Sequence, residues 1–380
     1  MIIGIDASNI REGGGLTHLK AILQFANPSK SGFSKIIVWS SDATLKQLIE
    51  APFIEKKSHP YLNKSTLFTF LFQFLFLKKE AKKSQCDAVF APGGTFISAF
   101  RPFVTMSQNM LPFEIEESKH YNLKMRIRLA ILFFTQSFAF KKANGMIFLT
   151  NYAKSYITSK IKIDPSKTVK IPHGVSTAFQ KQPRLQQEPA AYHADHLFEF
   201  LYVSYVTIYK HQWQIAEAVC QLHQEGYPVK VKLIGSILDS YEKVTTVLNK
   251  YPNSNACITF IPGLPHHELS KEYHEAAAFV FGSSCENMPI ILIEAMSAGL
   301  PIVSSNSGPM KEVLGDAGLY FDPRNLASIK SALLNCFQNK TLRTEMAQKS
   351  FQKTLAYSWE NCAKDTFDYL VKIANLYPKK

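Results

Sequence analysis

The chain of 380 residues lacks several patterns that identify other classes of protein. It contains no D-x-D triplet, so a divalent-metal clamp on a diphosphate has no obvious ligands. It also lacks G-x-G-x-x-G, which argues against a dinucleotide site. Its six cysteines include no C-x-x-C pair, which predicts buried thiols in a reducing compartment rather than disulfides or a zinc site; they are Cys86, Cys220, Cys257, Cys285, Cys336 and Cys362.

No apolar run is long enough to span a bilayer, which requires about 20 residues. The first residues, MIIGID, are strand-like at once and have no preceding basic region, so we expect no signal peptide. Apolar residues make up 46% and charged residues 19% of the chain, proportions typical of a globular protein. The length suits two domains of ordinary size.

Acidic residues are scarce in the first half of the chain. Residues 1–170 contain 24 Lys and Arg but only 11 Asp and Glu, a net charge of +13, whereas residues 171–380 contain 19 of each. No zinc-finger or RNP-like pattern accompanies the basic half, so we predict no nucleic-acid partner. The split indicates that one domain faces an anionic surface. Charge that serves only solubility is the alternative.

Two apolar, aromatic-rich stretches lie in this basic half, at Leu67–Leu77 and Leu129–Phe140. Basic residues flank both stretches, a pattern that suits helices lying in a membrane interface. Thr69 and Gln73 are four residues apart and form a thin polar line on the first of these predicted helices. The alternative is that both are ordinary core helices, with the phenylalanines of the first stretch buried.

The strongest functional signal is the stretch Phe279–Pro301, FVFGSSCENMPIILIEAMSAGLP. A short buried strand ends at Gly282, and Asn287 is a residue type that suits a helix N-cap. We predict a buried helix over residues 290–298 that stops at Gly299. Glu294 lies inside this apolar helix, where a lone charge is costly unless it has a partner.

Glu286 and Glu294, separated by seven residues and followed by A-M-x-x-G-x-P, form a pattern that resembles the E-x7-E signature of the family 4 retaining glycosyltransferases. Enzymes of this type build bacterial surface polysaccharides such as O-antigen and capsule. The resemblance implies the GT-B fold, an α/β architecture with two Rossmann-like doubly wound domains facing a cleft. The alternative is a buried helix in which Glu294 pairs with a distant Lys or Arg.

The alternation of predicted strands and helices independently favours doubly wound parallel sheets. We predict an acceptor-side domain over residues 1–173 and a nucleotide-sugar-binding domain over residues 174–355. The resemblance implies that residues 356–380 form a helix that returns to the first domain.

The resemblance also implies a donor site for a UDP- or GDP-sugar in the second domain. Lys210 matches a lysine that contacts the donor diphosphate, although Ser204 and Tyr205 stand where relatives have Gly and Arg. Glu286 would hold sugar hydroxyls and Glu294 the ribose. Glu286 and Lys210 are the candidate catalytic residues, and the candidate donor-binding residues are Ser204, Lys210, Gly235, Glu286, Asn287, Met288, Pro289, Ile290 and Glu294.

Candidate acceptor residues lie in the first domain and at its end. They are Gly14, Gly15, Gln108, Asn109 and His173. The glycines belong to the run Gly13–Gly15, which we predict to form a turn before a helix over about residues 16–25. Relatives often have His where Gln108 stands, and Gln108 cannot act as a general base. His173 replaces an Asn of the V-I-P-N-G-V link between the domains.

The resemblance implies a retaining hexosyltransferase without a cofactor, and the missing D-x-D predicts that it is metal-independent. Its acceptor would be a saccharide or a lipid-linked oligosaccharide, and it would lie in the cytoplasm on the inner face of the plasma membrane. Two other functions remain open: a catalytically silent protein of the same fold that binds a nucleotide-sugar, and a nucleotide-sugar epimerase.

Overall fold

The apolar runs of the sequence form two parallel β-sheets in the computed structural model, which describes residues 1–378. The chain divides into two units. The first contains Met1–Gly174 and the segment from Ser358 onwards, and the second is Val175–Tyr357. Each unit has its own sheet and helices. The predicted fold class, two parallel α/β domains of the Rossmann type, is therefore confirmed.

The sheet of the first unit has seven parallel strands in the order β3-β2-β1-β4-β5-β6-β7. Its central strands are mostly apolar and buried, as expected for a parallel sheet that helices cover on both faces. The strands are β1 (Ile2–Asp6), β2 (Lys35–Trp39), β3 (Ile54–Lys57), β4 (Ala88–Ala91), β5 (Phe103–Met106), β6 (Gly145–Phe148) and β7 (Thr168–Lys170).

The helices of this unit connect successive strands. Side-chain caps start several of them: Asn122 Oδ1 accepts from Met125 N, and Thr150 Oγ1 from Ala153 N. The helices are α1 (Gly13–Gln24), α2 (Pro28–Ser31), α3 (Asp42–Leu45), α4 (Thr66–Leu71), the π-helical segment Phe72–Phe76, α5 (Leu77–Lys83), α6 (Ile115–Ser118), α7 (Leu123–Lys142) and α8 (Asn151–Lys160).

The second unit has a six-stranded parallel sheet in the order β10-β9-β8-β11-β12-β13. Its strands are β8 (Phe198–Val203), β9 (Val229–Ile234), β10 (Ile258–Ile261), β11 (Ala278–Phe281), β12 (Ile302–Ser305) and β13 (Leu319–Phe321). Its helices are α9 (Gln212–Gln224), α10 (Tyr241–Lys250), α11 (Ser254–Cys257), α12 (His266–Glu275), α13 (Ile290–Ser297), α14 (Met310–Leu314), α15 (Leu326–Gln338) and α16 (Lys340–Thr354).

The C-terminal helix α17 (Trp359–Leu376) packs within the first unit. Ser358 caps it by accepting hydrogen bonds from the backbone N–H groups of Glu360 and Asn361. Phe367 packs on Phe33 with ring centroids 4.8 Å apart, and Tyr369 Oη donates to Lys167 O at 2.6 Å. These contacts hold the helix against the segments that precede β2 and β7.

The sequence missed two strands, β3 and β7, both at the edges of the first sheet. β3 has the sequence IEKK, and β7 immediately precedes the predicted link between the domains. Edge strands have one solvated side and tolerate charge, so they lack the continuous apolar run that reveals a central strand.

The apolar stretch predicted as Leu67–Leu77 is only partly buried: Phe72 lies in the core, as the core-helix alternative expects. Its polar pair, Thr69 and Gln73, is buried, whereas Leu67, Phe74 and Leu75 are exposed. Gln73 Nε2 donates to Asp6 Oδ2 at 2.7 Å and to Ser8 Oγ at 3.1 Å. The core-helix alternative is therefore wrong for Phe74, whose exposed fraction is 66%.

The second apolar stretch belongs to a longer helix than predicted, since α7 already begins at Leu123. Gln136, Ser137 and Phe140 are buried. Five large apolar side chains of α7 are exposed, at intervals of four, four, three and four residues, and they therefore lie on one helix face; they are Leu123, Ile127, Ile131, Phe134 and Phe138. Within residues 1–378, no helix is long and apolar enough to cross a membrane.

Candidate functional site

Lys210 and Glu286 form a largely buried ion pair at the carboxyl end of the second sheet. Lys210 ends a 3₁₀ turn after β8, and Glu286 follows β11, the neighbouring strand. The Nζ of Lys210 donates a short hydrogen bond to Oε1 of Glu286, and the two side chains are 8% and 13% exposed. Ligands of open parallel sheets bind outside the carboxyl ends of the strands, where this pair lies.

Aromatic neighbours hold Lys210 in place. Tyr202 Oη donates to the carbonyl oxygen of Lys210 at 2.6 Å, and the ammonium lies 5.1 Å from the ring centroid of Phe281. Burial, and then the nearby charge of Glu286, raise the pKa of Tyr202 well above its ordinary value. The Tyr202 hydroxyl therefore stays protonated and remains a donor.

Two further contacts join the loop after β8 to the loop after β11. His211, at φ +53° in the left-handed region, places Nε2 2.8 Å from Ser284 Oγ. The backbone N–H of Ser284 donates to Tyr209 O at 2.8 Å. These contacts fix the loop that carries Lys210 against the loop that leads to Glu286.

Helix α13 begins at Ile290, with Pro289 in the N-cap position. Asn287 is therefore not the cap, which corrects the prediction; the chain stays extended through Pro289, whose ψ is 108°. Asn287 and Met288 are buried and Ile290 is half-buried. The predicted stop at Gly299 is confirmed: its φ is +65°, and a Cβ there would lie 2.7 Å from Lys181 O.

Glu294 projects from α13 and is held by two side chains of α12. His266 Nε2 lies 3.1 Å from Oε1, and Tyr273 Oη donates to Oε2 at 3.1 Å. Burial and the Glu294 charge raise the pKa of Tyr273 well above its ordinary value, so its hydroxyl is a dependable donor. The structural alternative predicted that Glu294 pairs with a Lys or Arg. Its partners are instead His266 and Tyr273.

Ser204 and Gly235 lie together at the ends of β8 and β9. A Cβ on Gly235 would lie only 1.7 Å from Ser204 O, so the close approach of these two backbone segments requires glycine. The N–H of Ser204 donates to Ile234 O at 2.9 Å, which extends the pairing of β8 with β9. These residues lie at the same carboxyl end of the second sheet as Lys210.

The candidate acceptor residues of the first unit fall into two groups, one with Gly14, Gly15, Gln108 and Asn109 and the other with His173. Gly13–Gly15 form the first turn of α1 rather than a preceding turn, which corrects the prediction. A Cβ on Gly15 would lie 3.2 Å from Gln108 Oε1, so these two residues are neighbours. Asn109 is exposed and its Oδ1 accepts from Leu111 N at 3.0 Å. Gly14 is exposed.

The second group is a buried cluster of His18, His173 and Trp359. The Nδ1 atoms of the two histidines are 3.2 Å apart, so one must donate to the other. Both rings pack on Trp359, the first residue of α17. Burial lowers the pKa of His18 to about 3, and burial followed by the His18 charge lowers that of His173. His173 is thus a neutral, buried side chain.

This cluster predicts a loss of stability in mild acid. The folded-state pKa of His18, about 3, lies below its ordinary value of 6.5, so the unfolded chain binds the proton first. From pH 7 to pH 5, His18 should therefore remove about 2 kcal/mol from the free energy of unfolding. Urea denaturation at both pH values measures this loss.

The matched variant is His18→Gln, which should lose about 2 kcal/mol less than wild type over the same pH interval. Asp6, whose buried carboxyl has a pKa raised to about 6, opposes the trend but is common to both proteins. An equal pH dependence in the two proteins would show that His18 is not a buried neutral histidine.

Several residues of the site were not predicted from the sequence. They are His18, Tyr202, His211, His266 and Tyr273. Only His211 carried a signal, because it directly follows Lys210. The others meet their partners across the fold. Within residues 1–378, no group of three or more His, Cys, Asp or Glu side chains is arranged to hold a metal ion.

The second unit thus has a buried lysine–glutamate pair at the carboxyl end of its parallel sheet, and a second glutamate eight residues further on. Ligands of open parallel sheets bind at this end of the strands. Residues 186–353 match the family model described as "Glycosyl transferases group 1". The matched residues lie within the second unit, so this similarity concerns that unit.

The chain is also similar to individual known proteins. The O-antigen chain mannosyltransferase B of Escherichia coli is 33% identical over 111 residues, which cover 29% of this chain and 29% of that protein. The sucrose-phosphate synthase structure from Thermosynechococcus elongatus aligns over 99% of this chain and 100% of its own at a TM-score of 0.75 and 16% identity.

The HepE structure of Anabaena in complex with UDP aligns over 98% of both chains at a TM-score of 0.69 and 17% identity. At such low identities the structural matches show the fold, and that fold is the GT-B arrangement of two Rossmann-like domains. The curated sequence relative is matched over less than a third of its length.

Proposed function

We propose that the protein is a retaining glycosyltransferase that moves a hexose-type sugar from a UDP- or GDP-sugar to a saccharide or lipid-linked oligosaccharide. The observation that carries the proposal is the Lys210–Glu286 pair at the carboxyl end of the second sheet, inside the group 1 domain. The similarity to an O-antigen mannosyltransferase supports a role in surface polysaccharide assembly. The UDP bound to the HepE structure supports a nucleoside diphosphate as the ligand.

In this proposal the second unit binds the donor. Lys210 has three N–H donors, one of which Glu286 accepts, so the others can reach diphosphate oxygens. The first turn of α13 adds backbone N–H groups and the positive end of the helix dipole, although Pro289 withholds one N–H. Glu286 holds sugar hydroxyls and Glu294 the ribose. Ser204, Gly235, Asn287, Met288 and Ile290 shape the rest of the site.

The reaction breaks the bond between the sugar C1 and the phosphate oxygen and forms a bond between C1 and the acceptor oxygen. The acceptor's hydroxyl proton passes to the leaving phosphate oxygen on the same face of the sugar. The configuration at C1 is then retained without an enzymic nucleophile. Lys210 stabilises the charge that develops on the diphosphate, so the step requires no metal ion.

The first unit, in the same proposal, binds the acceptor. Gly15 and Gln108 are neighbours, and Gly14 and Asn109 are exposed beside the ends of β1 and β5. The Gln108 amide can hydrogen-bond a sugar hydroxyl but cannot remove its proton. This suits a mechanism in which the leaving phosphate takes the proton. His173 is buried against His18, so in this proposal it stabilises the acceptor site without contacting the acceptor.

A thermal-shift screen with UDP, GDP and their sugar derivatives tests the donor proposal. A nucleotide present at 100 times its Kd should add about 2.7 kcal/mol to the stability of the protein. We expect a shift with one nucleotide series, and transfer or slow hydrolysis of the matching sugar nucleotide.

The same screen separates the rivals. A silent binding protein would show the shift without turnover, and an epimerase would isomerise the free sugar nucleotide without an acceptor. A protein that none of these compounds stabilises would contradict the proposal and both rivals.

We propose further that the first unit docks on the anionic inner leaflet of the plasma membrane. The apolar side chains exposed on α4, the π-helical segment and α7 form what we term the docking surface; it comprises Leu67, Phe74, Leu75, Leu123, Ile127, Ile131, Phe134 and Phe138. Exposed apolar patches of this kind mark interaction sites on folded proteins.

Both parts of the docking surface adjoin the loop that follows β4. Gln73 Nε2 donates to Thr95 O at 3.3 Å, and the Gln136 amide lies 3.5 Å from the position of a Cβ on Gly94. The loop after β4 therefore contacts both the π-helical segment and α7. The exposed basic residues next to them favour anionic lipid over a protein partner; they are Lys78, Lys79, Lys82, Lys83, Lys124, Arg126, Arg128, Lys141 and Lys142.

A further inference from the structure

His266 is a residue that neither the motif nor the proposed reaction accounts for. It is the first residue of α12, and its Nε2 lies 3.1 Å from Oε1 of Glu294. Its side chain is 56% exposed, whereas that of Glu294 is 4% exposed. His266 therefore forms the solvent-facing border of an otherwise enclosed carboxylate.

The orientation of the His266 ring is set by its surroundings. Its edge packs on Phe179, with ring centroids 5.3 Å apart, and Phe179 in turn packs at 89° on Tyr273. The carbonyl oxygen of Phe179 lies 3.1 Å from Nε2 of His274, which also belongs to α12. Phe179 thus packs on both side chains that contact Glu294.

The hydrogen-bond capacity of Glu294 leaves room for a ligand. A carboxylate offers about four lone-pair positions on its two oxygens. His266 uses one on Oε1, and Tyr273 uses one on Oε2. One position remains on each oxygen, which matches two neighbouring hydroxyl groups that donate side by side.

We infer that His266 is a positioning residue that orients Glu294 to accept both hydroxyls of a nucleotide's ribose, so that the site discriminates ribonucleotides from 2′-deoxyribonucleotides. The inference rests on the proposed function, in which Glu294 binds the ribose. His266 donates its Nε2–H to Oε1 and prevents the carboxylate from rotating. The diol then meets two preset acceptors, and a deoxyribose can use only one of them.

The test is isothermal titration of the full-length protein with UDP, GDP, 2′-deoxy-UDP and 2′-deoxy-GDP. Wild type should bind the ribonucleotide of its preferred base about tenfold more tightly than the deoxy form, the value of one hydrogen bond to a charged group. His266→Ala should lose most of this preference. His266→Gln, whose amide can donate to Oε1, should restore it.

His267→Ala is the matched control, because His267 is the next residue, is 82% exposed and lies 3.6 Å from Glu268 rather than near Glu294. It should bind all four nucleotides as wild type does. Equal melting temperatures would show that His266→Ala is folded, as expected for a half-exposed side chain.

Two outcomes overturn the inference, and they differ. If wild type binds a ribonucleotide and His266→Ala keeps the full ribose preference, or binds the ribonucleotide more tightly, His266 does not orient Glu294 and the proposed function stands. If wild type binds none of the four nucleotides, the proposed function fails together with the inference.

Discussion

Replacing Lys210 with methionine is expected to lower kcat/KM by about 30- to 900-fold, which corresponds to about 2–4 kcal/mol of lost transition-state stabilisation. The physical reason is that the leaving diphosphate gains charge in the transition state, and Lys210 is a preorganised, largely buried cation at that position. The measurement is the initial rate of transfer from the sugar nucleotide identified by thermal shift, with EDTA present.

Glu286→Gln should lower kcat more than it weakens nucleotide binding, because in the proposal Glu286 contacts the sugar and not the nucleotide. The double variant Lys210→Met/Glu286→Gln removes both members of the ion pair. It should regain part of the stability that either single change loses, since no buried charge is left without its partner. Its activity should stay low.

Lys232→Met is the matched control for this experiment. Lys232 is also a half-buried lysine of the second sheet, with ion pairs of 3.0 Å to Glu199 and 2.9 Å to Glu272. Its loss should lower the melting temperature and leave kcat almost unchanged. Near wild-type activity of Lys210→Met or Glu286→Gln in EDTA would count against the roles assigned to the pair.

The second large effect concerns the docking surface. Changing Ile127, Ile131 and Phe134 together to serine should weaken binding to anionic vesicles at least 100-fold. Each apolar side chain contributes about 1.5–3 kcal/mol when it is fully removed from water, and partial insertion of three still exceeds the required 2.7 kcal/mol. Because all three are exposed or nearly so, the melting temperature should barely change. Sedimentation with phosphatidylserine-containing liposomes measures the binding.

The basic residues make a separate, salt-dependent contribution. Changing Lys78, Lys79, Lys82 and Lys83 to glutamine should also release the protein, since each basic residue near an anionic surface adds about 1 kcal/mol that fades within a Debye length. Leu185→Ser is the control: Leu185 is an exposed leucine of the second unit, 86% accessible, and its loss should leave vesicle binding unchanged.

If wild type ignores anionic vesicles even at low salt, the membrane proposal is wrong. The docking surface would then fit a protein partner, and a soluble acceptor would become the better hypothesis. If only the lysine variant is released, binding is electrostatic and the apolar side chains do not insert.

Much of the fold was predictable because parallel sheets are made from short, continuous apolar runs. Ala278–Phe281 is buried on both faces, and its apolar residues predict the strand that ends at Gly282. The helix after Glu286 was predicted to stop at Gly299, and it does so because only glycine fits the left-handed backbone there. The start of that helix was placed wrongly, since Asn287 has the character of a cap but the extended backbone continues to Pro289.

The sequence by itself determined the two-domain α/β architecture, the position of Glu286 and Glu294 on one strand–loop–helix segment, and the basic character of the first half. All three depend on local pattern or composition. The tertiary structure alone decided which side chains meet: Lys210 with Glu286 over 76 residues, His266 with Glu294 over 28 and His18 with His173 over 155.

The tertiary structure also decided which apolar side chains of the two stretches are exposed: Leu67, Phe74 and Leu75 in the first, and one face of α7 in the second. The composition of Leu67–Leu77 fits a core helix equally well, and only the hydrogen bonds of Gln73 to Asp6, Ser8 and Thr95 turn the polar line inward. A buried amide must satisfy its donors and acceptors, and the partners that do so lie more than 20 residues away in the chain. That pairing is a property of the folded backbone, which no local pattern encodes.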